Sequence, residues 1–143
     1  MSMETHLNKQ LANWSVLYVK LHQFHWYVTG SDFFTLHTKF EEFYDDAGAF
    51  VDEIAERILT IGGKPVATMK EYLALTSLEE GCCSCDGKAM VQCLVKDYET
   101  IINESRDVMR ACDECCDEES SDLFGSKISE LEKTIWMLKA YLG

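Results

Sequence analysis

Apolar residues recur at intervals of three and four from His6 to about Thr29, where Leu7, Leu11, Trp14, Tyr18, Leu21 and Val28 share one helical face. Gly30-Ser31-Asp32 breaks the pattern. Ser31 or Asp32 is expected to cap a second helix running to about Ile61, because their side-chain oxygens accept from free first-turn amides. Its inward stripe is Leu36, Phe40, Phe43, Ala47, Phe50, Ile54, Ile58 and Ile61, and Gly62-Gly63 with Pro65 ends it. A connection from Lys64 to Gly87 follows, long enough to cross the molecule, with room for a short helix around Lys70 to Leu75. The third helix, about Lys88 to Cys112, turns Met90, Leu94, Tyr98, Ile101, Ser105 and Val108 inward; the fourth, about Asp122 to Leu142, does so with Phe124, Ile128, Leu131, Ile135 and Leu138. Short links inside each pair and one long link between the pairs predict an all-α, up-down-down-up four-helix bundle with a long crossover.

Composition narrows the class. With 143 residues, 47% of them hydrophobic, and a single proline, residues 1–143 fit one domain of long helices. No apolar run reaches about 20 residues, and Met1 to Gln10 is neither basic nor apolar, so the expected location is the cytoplasm, with no membrane association. Thirteen basic residues against 25 acidic ones give a net charge of −12, which opposes polyanions and favours cations as partners. All seven cysteines lie between Cys82 and Cys116; their odd number and the lack of a signal segment favour reduced thiols.

The second helix carries the strongest chemical signal. With Leu36 at zero and about 100° per residue, the core stripe stays near the origin, while His37, Glu41, Asp52 and Glu56 fall at about 100° to 200°. Interleaved with them are Tyr44, Gly48, Val51, Ala55 and Leu59, small or apolar residues that imply a second buried surface. His37 with Glu41, and Asp52 with Glu56, are i,i+4 pairs, each aimed at one point. The pairs lie about 16 Å apart along the axis, whereas metal bonds are about 2 Å, so one chain cannot close one site from both. If the helix packs antiparallel on its own copy, the residue numbers of His37 and Glu56, and of Glu41 and Asp52, share one symmetry centre between Asp46 and Ala47. Gly48 lies beside that centre, where a missing side chain would let backbones approach. A two-fold dimer would then build two equivalent sites from both chains. The alternative is a carboxylate-rich face that is merely solvated.

In Leu21-His22-Gln23-Phe24-His25-Trp26-Tyr27, His25 shares the phase of Leu7 and points into an apolar stripe, as a further ligand or as a hydrogen-bonded core residue. His22 lies to one side, as a supporting or packing residue. Imidazole and carboxylate donors favour iron, manganese or zinc over copper(I), and an incomplete shell leaves positions for an oxidant.

The run LHQFHWYVTGSDFFTLHTKFEEFYDDAGAFVDEIAERI, from Leu21 to Ile58, resembles the signature of the Dps (DNA-binding protein from starved cells) family of miniferritins, and the similarity continues through Gly62-Gly63-Lys64-Pro65 to the end. The HW dipeptide, the histidine twelve residues later and the DExxER segment carry it. The resemblance implies a ferritin-like bundle assembled as a hollow homododecamer with two-fold ferroxidase interfaces and three-fold pores. It implies oxidation of Fe(II), preferably by hydrogen peroxide, and storage of ferric oxyhydroxide, which limits oxidative damage. His25, His37 and Glu41 of one subunit, with Asp52 and Glu56 of its two-fold mate, would form an intersubunit site for two irons, with Trp26 beside it. Trp26 and Trp136 would intercept stray one-electron oxidants, or else pack in the core. Twelve chains at −12 would make a shell near −144 that concentrates cations. Asp113, Glu118 and Asp122 would line a pore entrance, or form a plain acidic loop, and Glu42, Asp45, Asp46 and Glu53 are candidates for the cavity wall.

Two features depart from the family. The short, almost uncharged N-terminus and the end at Gly143 predict no strong DNA binding, leaving only bridging by cations. Cys82-Cys83-Ser84-Cys85 and Cys112-Asp113-Glu114-Cys115-Cys116 each contain a CxxC, but the intervening helix separates them by about 36 Å, which disfavours one tetrahedral zinc site. The rival function is a non-enzymatic helical assembly that binds thiophilic metals through these cysteines.

Overall fold

The computed structural model describes residues 1–81 and 86–143. Five helices follow in order: α1 (Met3–Tyr27), α2 (Phe33–Thr60), α3 (Met69–Leu75), α4 (Gly87–Glu114) and α5 (Glu118–Leu142). Among the described residues the sole β-type pairing is an isolated bridge between Thr29 and Asp86. α1 packs along α2 and α4 along α5; α1 also contacts α4, and the crossover helix α3 lies against α1. This is the expected bundle with its long crossover.

The inward stripes meet in one core. Trp14, Phe50, Tyr98 and Phe124 are fully or almost fully buried. Trp14 meets Phe50 edge-on at 5.1 Å, and Phe50 meets Phe124 at 5.6 Å, so rings from three helices interlock. Phe43 and Ile61, expected inward, sit half-buried at its margin, and Tyr18 is exposed at 38%.

Helix ends depart from expectation in two places. Asp32 occupies the N-cap of α2 but makes no side-chain capping bond. Its carboxylate instead accepts from the Tyr141 hydroxyl at 2.6 Å, tying the start of α2 to the end of α5. The acidic stretch Asp113 to Asp122 is not a loop. α4 runs through Glu114 and α5 begins at Glu118, because Asp117 caps α5 by accepting from the Ser120 amide at 3.0 Å while Arg57 donates to it at 3.1 Å.

α2 and α4 both end in a Schellman motif. After α2, the Gly62 amide bonds Leu59 O and the Gly63 amide bonds Ile58 O, with Gly62 at φ +87°. After α4, the Cys116 amide bonds Asp113 O and the Asp117 amide bonds Cys112 O, with Cys116 at φ +56°. A cysteine thus occupies a left-handed position where glycine is usual.

The crossover is held by polar side chains of α1. Asn8 donates to Lys64 O and accepts from the Val66 amide; Asn13 accepts from the Thr76 hydroxyl and the Ser77 amide. Lys20, buried, donates to Glu79 O at 3.0 Å and pairs with Asp97 at 2.7 Å.

Candidate metal centre

The turn between α1 and α2 folds His25, near the end of α1, against His37, in the second turn of α2. The His25 carbonyl belongs to the last turn of α1, where acceptors lack an intrahelical partner. His37 Nδ1 lies 2.7 Å from that oxygen, and His25 Nδ1 lies 2.6 Å from the His37 carbonyl. A carbonyl only accepts, so each Nδ1 carries the proton. In the neutral rings each Nε2 is therefore left with a lone pair, the tautomer a metal ion requires. The rings stack at 3.7 Å and 12°.

Aromatic groups brace this pair. Phe33 stacks on His37 at 4.8 Å, and Tyr44 stands edge-on to His25 at 5.3 Å. Tyr44 also stacks on His22 at 3.8 Å, and His22 donates from Nδ1 to the Tyr18 carbonyl at 2.7 Å. Desolvation, followed by the nearby Glu41 carboxylate, holds the Tyr44 phenol above its usual value. The helical pattern places Tyr44 among the small and apolar positions of this face, but its ring instead contacts His22 and His25, one turn beyond Glu41.

His25 is buried, and its Nε2 lies 3.8 Å from Glu41 Oε1. Asp52 and Glu56 are exposed, one turn apart farther along the same unbroken α2, with Asp52 about 16 Å from Glu41. Among the described residues no three His, Cys, Asp or Glu side chains come together closely enough to hold a metal ion. One chain therefore presents two imidazoles with a carboxylate at one end of the α2 face, and a separate carboxylate pair at the other.

The same face exposes apolar bulk. Phe34 is 83% exposed and Leu59 60%. Near the middle, a Cβ on Gly48 would stand 2.8 Å from the Tyr18 ring of the same chain, so within the monomer the missing side chain makes room for Tyr18.

Trp26 and Trp136 are 68% and 66% exposed, which overturns the core-packing alternative for both; the core tryptophan is Trp14. Asp113, Glu118 and Asp122 are exposed and helical, the latter two on one face of the first turns of α5. Of the acidic residues considered for a cavity wall, Asp46 pairs with Lys127 and Glu42 with Lys39. Cys82-Cys83-Ser84-Cys85 lies outside the described residues. Cys112 is buried, and burial pushes its thiol up to about 11, whereas Cys115 and Cys116 are free and exposed.

Comparison with known proteins bears on this arrangement. A ferritin-like domain model matches residues 4–143. The chain is 54% identical over 137 residues to DNA protection during starvation protein 2 of Bacillus anthracis, covering 96% of this chain and 94% of that protein. The crystal structure of Dps from Staphylococcus aureus superposes with a TM-score of 0.96 at 41% identity, covering 99% of this chain and 95% of the other. A Dps structure from Vibrio cholerae, described as a member of a broad superfamily of ferritin-like diiron-carboxylate proteins, superposes at 0.95 with 38% identity, covering 99% and 89%.

Proposed function

The chain belongs to the Dps group of ferritin-like proteins, and from that premise we propose that it is a ferroxidase that takes Fe(II) as substrate, oxidises it preferentially with hydrogen peroxide, and stores the ferric product inside a homododecameric cage. The observation that carries this reading is the reciprocal bond between His25 and His37, which leaves a lone pair on each Nε2, that of His25 3.8 Å from Glu41. Such oriented donors suit a transition-metal ion better than a solvated helix face does.

The second half of the site would come from a two-fold mate. In the antiparallel register that brings Asp52 and Glu56 of one chain onto Glu41 and His37 of the other, Phe34 falls opposite Leu59. The two large exposed apolar residues of α2 thus share the symmetry centre of the four donors, which supports burial of this face against a copy.

In that site His25 and His37 would ligate through Nε2, while Glu41, Asp52 and Glu56 would offset the positive charge of two irons. Phe33, Tyr44 and His22 brace the imidazoles. Two Fe(II), one hydrogen peroxide and two waters give two FeOOH units and four protons; both electrons reach peroxide together, so no hydroxyl radical is released. Trp26, exposed and next in sequence to His25, would intercept a stray one-electron oxidant. Although the Bacillus anthracis relative is named for DNA protection, we propose that this chain protects by removing Fe(II) and peroxide, because a net charge of −12 opposes binding to a polyanion.

Anaerobic apoprotein titrated with Fe(II) and then peroxide should consume about two Fe(II) per peroxide at each site. His25→Ala/His37→Ala and Asp52→Asn/Glu56→Gln chains, each strongly slowed alone, should recover activity when unfolded together and coassembled. Full activity of either variant by itself, or none after coassembly, would overturn the shared site.

A further inference from the structure

The groove between α2 and α5 holds a polar group that the ferroxidase reading does not use. A cleft of about 320 Å³ opens there, walled by Phe43 and Asp46 of α2 and by Glu130, Leu131 and Met137 of α5, with Tyr98 of α4 at its base. That is room enough for a small organic group. Asp46 lies about 80° round α2 from Leu36, on the flank away from His37 and Glu41, so the cleft is separate from the candidate metal centre. Tyr98 is 2% exposed, and Phe43 stands edge-on to its ring at 6.1 Å. Burial, with the Asp46 and Asp97 carboxylates, holds its phenol far above the ordinary value, so it remains a neutral hydroxyl. Among the described residues nothing hydrogen-bonds to that hydroxyl, a condition that buried polar groups rarely keep.

The carboxylates at the mouth are already oriented. Lys127, buried, reaches Asp46 at 3.1 Å and Glu130 at 2.8 Å, so both converge on one ammonium, which sits 4.5 Å from the centre of the Phe50 ring. Two carboxylates sharing one ammonium keep a net negative charge and spare acceptor lone pairs. An anion is repelled by them, and a divalent metal ion would meet the fixed Lys127 charge at close range. A primary ammonium suits the cleft better. Its three N–H groups match three acceptors, Asp46, Glu130 and the Tyr98 oxygen, while an attached alkyl chain would lie on Phe43, Leu131 and Met137. The Thr134 hydroxyl is spent on Glu130 O, and Lys133 at the exposed rim disfavours a second positive charge on the tail. We propose that this cleft binds a primary alkylammonium ion with a short apolar tail, its head group shared among Asp46, Glu130 and Tyr98.

The test is calorimetry and saturation-transfer NMR on the full-length chain, with pentylammonium as the probe and 1-pentanol, pentanoate and tetramethylammonium as controls. About one pentylammonium per chain should bind, about 10-fold more tightly than any control. Tyr98→Phe keeps the ring and removes only a hydroxyl without a partner. It should leave thermal stability and peroxide-driven Fe(II) oxidation unchanged while weakening pentylammonium about 10-fold, and Glu130→Gln, at an exposed position, should weaken it similarly. Tetramethylammonium binding as tightly as pentylammonium would mean attraction to an acidic surface alone and would overturn the proposal. So would the absence of binding, unchanged affinity in Tyr98→Phe, or a loss of stability in that variant, which would give the hydroxyl a partner within the chain.

Discussion

His25 and His37 each take the other's backbone carbonyl through Nδ1, so neither ring is oriented independently. Removing one side chain frees the other to rotate and leaves a carbonyl without its imidazole donor. His25→Ala and His37→Ala should each slow peroxide-driven Fe(II) oxidation about 10–100-fold. The double variant should be little slower than either single one, because the two act as a unit. Stopped-flow absorbance of Fe(III) formation measures this. Multiplicative losses would mean that the rings act separately.

Phe34 and Leu59 provide a test of register that needs no metal. A carboxylate at Phe34, opposed in the antiparallel arrangement by Leu59, should weaken assembly, and a lysine at 59 should restore it. Sedimentation of Phe34→Glu should therefore show smaller species, and Phe34→Glu/Leu59→Lys should recover the large one. If the charge pair fails to rescue while each chain remains helical, the register is wrong.

Asp117 links stability to pH. Burial would raise its carboxyl, but bonds from the Ser120 hydroxyl and amide, together with Arg57, outweigh that and hold it below 3.8. With the folded value depressed, the stabilisation is complete above the unfolded value and is lost as pH falls through the folded one. Asp117→Ala should cost about 1 kcal/mol at neutral pH. In urea melts, the difference from the unsubstituted chain should shrink steadily below about pH 4. A constant difference down to pH 2 would contradict this.

Cys116 occupies a backbone conformation that glycine adopts without steric cost. Cys116→Gly should stabilise the chain by about 1 kcal/mol in equilibrium denaturation, as judged by the penalty for an L-residue in the left-handed region. A loss of stability would show that the thiol makes contacts that compensate.

Periodicity disclosed all the helices because burial dictates which positions must be apolar, and Leu36, Phe40, Ala47, Phe50, Ile54 and Ile58 obey it from one end of α2 to the other. It also isolated His37, Glu41, Asp52 and Glu56, since four donors at two matched spacings are conspicuous on a face that also carries Val51 and Ala55. Pattern failed where a side chain had two possible partners. Asp32 looked like a cap, but Tyr141, distant in sequence, holds its carboxylate. Acidic composition suggested a loop at Asp113 to Asp122, yet the Asp117 cap needs only a three-residue break between helices. Trp26 and Trp136 looked like core by size alone. The mutual bond between His25 and His37 depends on where one helix stops and the next begins, which no spacing within a single helix encodes.

The polar clasps from α1 to the crossover carry a further consequence. Asn8, Asn13 and Lys20 are buried, and their amides and ammonium meet backbone or hydroxyl groups between Lys64 and Glu79. Peeling that stretch away would strand these groups without partners, so its detachment is coupled to disruption of α1 itself. Deuterium uptake at the clasped Val66 and Ser77 amides would then keep the tempo of the bundle's own opening, although both lie outside regular helix.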